Sequence, residues 1–74
     1  MTGLPLISSR EVMTALAHIG FVHDRTRGSH HVLVRESPAA TLVVPERREI
    51  PRGTLRSIIR QAGLTPEQFI DLLR

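Results

Sequence analysis

The spacing of apolar residues changes twice along the chain. Val12, Ala15, Leu16 and Ile19 recur on one helical face. Ser8 stands before them and Glu11 three residues on, the arrangement in which each side chain binds the other's backbone amide. Ile7 before the cap and Val12 inside the helix are placed to clasp across its start. Gly20 supplies a left-handed stop, so the spacing predicts a helix over 9–19. From Phe21 the pattern becomes extended. Phe21 to Arg25 and His30 to Arg35 read as strands, with Thr26-Arg27-Gly28-Ser29 turning between them. Ser37-Pro38-Ala39-Ala40 forms a second turn. Thr41-Leu42-Val43-Val44 is a β-branched third strand, halted by Pro45. After the polar connection Glu46 to Pro51, Leu55, Ile58, Ile59 and Ala62 restore the helical stripe, which ends at Gly63. Thr65-Pro66-Glu67-Gln68 opens a last helix with a second reciprocal cap and a proline where no amide is needed. Phe69, Ile70, Leu72 and Leu73 make that helix apolar.

The expected fold is therefore α+β, in the order α-β-β-β-α-α, with a three-stranded antiparallel meander packed on helices. Residues 1–74 read as one domain. The two amphipathic helices can bury their stripes only against one sheet face, which leaves the other to water or a partner. A chain of 74 residues buries roughly 60% of its unfolded surface, so the core is thin. Cysteine is absent, which excludes disulfides, thiolate metal sites and cysteine nucleophiles. Two phenylalanines are the only aromatic residues of the Phe, Tyr and Trp class, too few for a module that stacks bases on rings. The apolar patch of Leu4, Leu6 and Ile7 is broken by Pro5 and lacks a basic flank, so it does not read as a signal peptide. No apolar run is long enough for a membrane span, and a cytoplasmic location is expected.

Charge changes the picture modestly. The formal net charge is +3, and every basic residue is arginine. Arginine's planar fork suits phosphate oxygens, although codon bias also yields such a composition.

The richest stretch for chemistry is Arg25-Thr26-Arg27-Gly28-Ser29-His30-His31. Imidazole takes and gives protons near neutrality. Metal-free RNA cleavage needs a base for the 2′-hydroxyl and cations for the charge that grows on the phosphoryl oxygens. Gly28 lets backbone approach a phosphate. The plain alternative is an ordinary turn followed by surface histidines. Strand alternation places His30, Val32 and Val34 on one face and His31, Leu33 and Arg35 on the other, and does not say which is wet. His23, His30 and His31 make a poor metal set, because neighbours on a strand diverge. A pairing of His23 with Asp24 fails for the same reason, and His18 reads as a solvated helical residue. Arg52, Arg56 and Arg60 line one ridge of the second helix, suited to a phosphate backbone or simply to water, and Arg47 and Arg48 extend that surface.

Taken together, Gly20-Phe21, Arg27-Gly28-Ser29-His30-His31, Val44-Pro45 and the run Gly53-Thr54-Leu55-Arg56-Ser57-Ile58-Ile59-Arg60-Gln61-Ala62-Gly63 closely resemble the HicA (YcfA-like) toxins. The likeness runs from the first helix to the C-terminus. It implies a fold like that of double-stranded-RNA-binding domains, ribosome-independent mRNA interferase activity, and inhibition by a HicB-like antitoxin. The histidine of Gly-Ser-His maps onto His30, with His31 as second choice. Gly28 and Ser29 would shape the phosphate-contacting turn, and Arg25, Arg27, Arg52 and Arg56 would hold RNA. Many members carry a histidine two residues after Val-Pro, where this chain has Arg47. That departure favours a single-histidine scheme over a two-histidine one.

The expectation is thus a metal-independent endoribonuclease without cofactors, whose partners are mRNA and an antitoxin. The rivals are a non-catalytic RNA-binding module of the same fold and an assembly domain that uses its apolar sheet face.

Overall fold

The caps foreseen from spacing start two of the three helices. In α1 (Ser9–Ala17) the Ser8 hydroxyl accepts from the Glu11 N–H at 3.1 Å, and Glu11 Oε1 accepts from the Ser8 N–H at 2.9 Å. In α3 (Pro66–Leu72) Thr65 and Gln68 make the same exchange at 3.1 and 2.9 Å. The middle helix, α2 (Arg52–Gln61), begins after Pro51 with no side-chain cap. A computed structural model describes residues 3–74 of the chain, so Met1 and Thr2 of the expected domain lie outside the described residues.

Regular α1 stops at Ala17, two residues before the expected end. The chain leaves it through a Schellman turn. The Gly20 N–H donates to Ala17 O at 3.1 Å and the Phe21 N–H to Leu16 O at 3.2 Å. Gly20 has φ +99°, and a Cβ there would stand 3.3 Å from Arg35 Cδ. The positive φ is what favours glycine at this bend, and the nearby Arg35 side chain would have to yield slightly to any larger residue.

The strands are β1 (Val22–Arg27), β2 (His30–Glu36) and β3 (Ala39–Pro45), antiparallel in the order β1-β2-β3. All three run longer than the sequence pattern suggested, because the turns are shorter. Thr26 and Arg27 belong to β1, and Ala39 and Ala40 to β3. The first hairpin turns on Gly28 and Ser29 alone. Gly28 has φ +59° and Ser29 does not enter the positive region, the combination of a type II′ turn. Between His23 and Arg25 the pairing shifts by one, so Asp24 is bulged out of the ladder.

The core lies between one sheet face and the helices. Leu33, Leu42 and Val44 point into it from the sheet; Val12, Ala15 and Leu16 from α1; Leu55, Ile58 and Ile59 from α2; and Phe69 from α3. Both α1 and α2 pack on β3, and α3 packs on both helices. β1 is exposed along all six of its residues, so pairing with β2 is its main attachment. The residues ahead of α1 are more than a lead. Leu4 and Ile7 are buried, and Ile7 O accepts from the Ile50 N–H at 2.8 Å. Ser9 N–H donates to Arg47 O at 3.0 Å. The segment from Glu46 to Pro51 is thereby fastened to the helix layer. Ile50, the sole apolar residue between the prolines of that polar stretch, is its anchor.

Phe69 is the largest side chain with no exposed surface. Truncating such a residue costs about 3–5 kcal/mol, while stability of about 0.05–0.15 kcal/mol per residue leaves a domain this small little more. Phe69→Ala is expected to lose its cooperative thermal transition by circular dichroism, or to melt at least 12 °C lower, at about 4–8 °C per kcal/mol. A shift of only a few degrees would mean that α3 does not close the core.

Candidate nucleic-acid interface and histidine cluster

Leu33 decides where the two adjacent histidines go. Because it is buried against the helices, its strand neighbours alternate about it. His31 shares its face with Leu33 and Arg35, and pairs with Val44. His30 shares the opposite face with Val32 and Val34. The face that carries His31 and Arg35 is therefore the helix-packed one, even though it ends in a charged residue. That arginine is held locally: its guanidinium sits 4.5 Å above the Phe21 ring, while Nε donates to Pro38 O at 2.8 Å and a terminal nitrogen to Ile19 O at 3.3 Å.

The open face holds one part of the expected site. His30 pairs with Arg27 on β1 and Pro45 on β3, and Arg25 lies opposite Val32. Ladder partners share a face, so His30, Arg25 and Arg27 stand together beside the Gly28-Ser29 turn. All five are exposed. Arg25 is paired with the bulged Asp24. His30 has no side-chain hydrogen bond among the described residues, which leaves its ring nitrogens free for a ligand. Val22 and Val43, 61% and 48% exposed, continue this face as an apolar surface.

Arg52 and Arg56 sit elsewhere, on the exposed ridge of α2 with Arg60. The structure does not bring them onto the His30 face; they belong to the helix layer behind it. Arg52 Nε donates to Leu4 O at 2.7 Å, which fixes the side chain while its terminal nitrogens stay without a partner among the described residues. Arg47, at the position of the family's frequent histidine, is pinned through its backbone. Its N–H donates to Ser9 Oγ at 3.3 Å, and its carbonyl accepts from the Ser9 amide and hydroxyl.

Sequence reasoning missed a second cluster, at the end of the helix-packed face. His31 Nε2 lies 2.5 Å from Glu46 Oε1, and His31 Nδ1 lies 3.1 Å from Thr26 Oγ1. Thr26 Oγ1 is also 2.8 Å from His23 Nε2. The two rings meet edge to face, with centroids 5.4 Å apart. His23 reaches His31 because the Asp24 bulge puts His23 and Thr26 on one face, two residues apart in register though three apart in sequence. No glycine or proline marks that bulge. His31 is 17% exposed by side chain, and it takes its place where the helices no longer cover the sheet. Among the described residues no group of three or more histidine, cysteine or acidic side chains is arranged to hold a metal ion.

The hydrogen bond to His31 holds the Glu46 carboxyl below its usual range, against the opposing effect of desolvation. The charge on His31, a hydrogen bond with Ser9 and the charge on Arg10 add to the lowering. The sign of its contribution follows. A carboxylate with a depressed folded pKa stabilises the fold above the ordinary glutamate range, and that contribution is lost as pH falls through the folded value. In urea titrations the stability difference between wild type and Glu46→Gln is expected to be fully present above the ordinary glutamate pKa of about 4.3 and to shrink as pH falls below it. A difference that stays constant through that fall would show that the ionised carboxylate contributes nothing.

No helix among the described residues is long and apolar enough to cross a membrane. No curated relative matches the chain. The sequence model of one family, described as HicA toxin of bacterial toxin-antitoxin, matches residues 9–64. The match spans α1, the whole sheet with both histidines, and α2 to its glycine stop. The chain belongs to the HicA toxin family of bacterial toxin–antitoxin systems.

Proposed function

We propose that the protein is an mRNA interferase, the toxin of a HicAB-type pair, in which His30 is the acid–base group of RNA cleavage. The observation that carries this reading is the contrast between neighbouring imidazoles. His31 has both ring nitrogens occupied, whereas His30 is exposed and unbonded beside two arginines of β1 on an open face. A group that must take a proton from a ribose needs a free nitrogen within reach of it. His30 meets that need and His31 does not.

In this scheme RNA lies along the open sheet face by the first hairpin. His30 removes the 2′-hydroxyl proton, the resulting oxygen attacks the adjacent phosphorus, and the leaving 5′-oxygen takes up a proton as its bond to phosphorus breaks. Arg27 and Arg25 stabilise the charge on the phosphoryl oxygens. Gly28 and Ser29 let the backbone come close to a phosphate. Arg52 and Arg56 hold a flanking stretch of backbone on the helix layer. The reaction uses no metal or organic cofactor. The antitoxin, a HicB-like protein, covers the His30 face and is acidic where it meets the arginines. Both partners work in the cytoplasm.

Two measurements test this. Purified wild type is expected to shorten labelled RNA in the presence of chelator. His30→Ala should reduce the rate by at least a hundredfold while the melting temperature and antitoxin binding stay near wild type. RNA that is shifted on a gel but never shortened would favour the non-catalytic binding module, and undiminished cleavage by His30→Ala would move the role elsewhere. For binding, Arg52→Gln and Arg56→Gln should each weaken affinity uniformly across RNA sequences and lower the slope of log affinity against log salt by about 0.7. An unchanged slope would remove α2 from the RNA footprint.

A further inference from the structure

The cluster around His31 is not part of the proton-transfer chemistry assigned to His30, yet it encloses that residue in the chain. Glu46 grips both neighbours of His30. Its backbone N–H donates to Ser29 O at 2.7 Å, and its carboxylate holds His31 Nε2 at 2.5 Å. The carboxylate is ionised, so the proton between those atoms is on nitrogen. A neutral His31 is then the Nε2–H tautomer, and its Nδ1 accepts. One proton arrangement suits these contacts: His23 Nε2–H donates to Thr26 Oγ1 and lies 3.4 Å from His31 Nδ1, the Thr26 hydroxyl donates to His31 Nδ1, and His31 Nε2–H donates to Glu46. If His31 takes up a proton, Nδ1–H donates to Thr26 and the hydroxyl turns to His23 Nε2. A hydroxyl can serve either state, and no apolar side chain can serve one.

We propose that Glu46, His31 and Thr26 are positioning residues for His30, a hydrogen-bonded brace that fixes the peptide on either side of the proposed catalytic histidine. The proposal rests on the nuclease reading above and deepens it. β1 is exposed throughout, so the hairpin that presents Arg25, Arg27 and His30 has little apolar packing to fix it. The brace ties three segments instead: β1 through Thr26 and His23, β2 through His31, and the chain after β3 through Glu46. The titratable and charged groups facing it are His23 from β1, Glu46 after β3 and, through its effect on Glu46, Arg10 from α1. Carboxylates that orient metal-bound histidines change affinity or activity by about 10–100-fold when removed, and the lower end of that range is expected for this metal-free brace.

The test compares wild type with Glu46→Gln, Thr26→Val and Thr26→Ser, all checked for cooperative melting. Single-turnover cleavage of a short RNA gives the maximal rate and the half-saturating concentration. Glu46→Gln and Thr26→Val are expected to lose about tenfold in rate with less than a twofold change in half-saturation. Thr26→Ser, which restores the hydroxyl, should return to within twofold of wild type. Ring-nitrogen NMR above neutral pH should show His31 as the Nε2–H tautomer in wild type and in Thr26→Val, and a mixture in Glu46→Gln, whose amide can accept or donate. Wild-type rates in both disabling variants, a serine variant as slow as the valine one, or a neutral His31 protonated at Nδ1 would each overturn the brace. A wild-type chain that leaves RNA intact while showing the Nε2–H tautomer overturns the nuclease reading, and the positioning role with it, but not the proton arrangement.

Discussion

The burial of Leu33 is the constraint on which the rest of the site depends. A strand sends successive side chains to opposite faces, so once one residue of β2 is committed to the core, its neighbours have no choice. His31 must lie on the helix side, where Glu46 and Thr26 engage it, and His30 must face outward with Arg25 and Arg27. A one-residue slip of β2 would exchange the two imidazoles and place Val32 and Val34 in the core. The apolar residues would tolerate that exchange; the histidines would not. The pairing on both edges of β2, and the pinning of Arg47 and Ile50 to the start of the chain, hold the register in place. Packing thus does the sorting that the adjacent pair His30-His31 cannot do for itself.

Much of the fold was legible because its signals are local. Ser8 with Glu11, Thr65 with Gln68, and the two glycines at Gly20 and Gly63 act within one turn of the helix they begin or end, so spacing alone identifies them. The stripe of Leu55, Ile58 and Ile59 is equally self-contained. The strand limits were read too short because Thr26, Arg27 and Ala39 look like turn residues and are held in the sheet by partners across the ladder. Even β1 as a whole owes its extension to β2 rather than to its own composition, since none of its residues is buried.

The candidate site divides in the same way. Gly28, Ser29 and His30 form a contiguous signal, legible without knowledge of the fold. The cluster of His23, Thr26, His31 and Glu46 has no such signal. It exists because Asp24 is bulged, which changes the phase of β1 by one residue, and because Glu46 follows a strand that pairs with His30's own. Both are facts of register. Alternation applied without the bulge places His23 and Thr26 on opposite faces, and the contact between them disappears from view.

On the proposed reading, the site is a reactive surface rather than a cavity. A thin core cannot bury charged groups and still fold, so the arginines and His30 are left in water, where arginine's fork and imidazole's free nitrogens remain available to a ligand. Exposure alone, however, leaves a side chain to wander, and catalysis by proton transfer depends on geometry within a few tenths of an ångström. The structure answers with polar contacts behind the exposed face. Hydrogen bonds that involve a charged group are stronger and more directional than neutral ones, and the Glu46–His31 pair supplies one, extended by the neutral bonds of Thr26 and His23. On the proposed reading these bonds steady the backbone around His30, while its ring and the neighbouring guanidinium groups stay exposed to a ligand. An acidic protein that covers the same face would find the arginines unburied and the backbone already ordered, and so would bind without reshaping the hairpin.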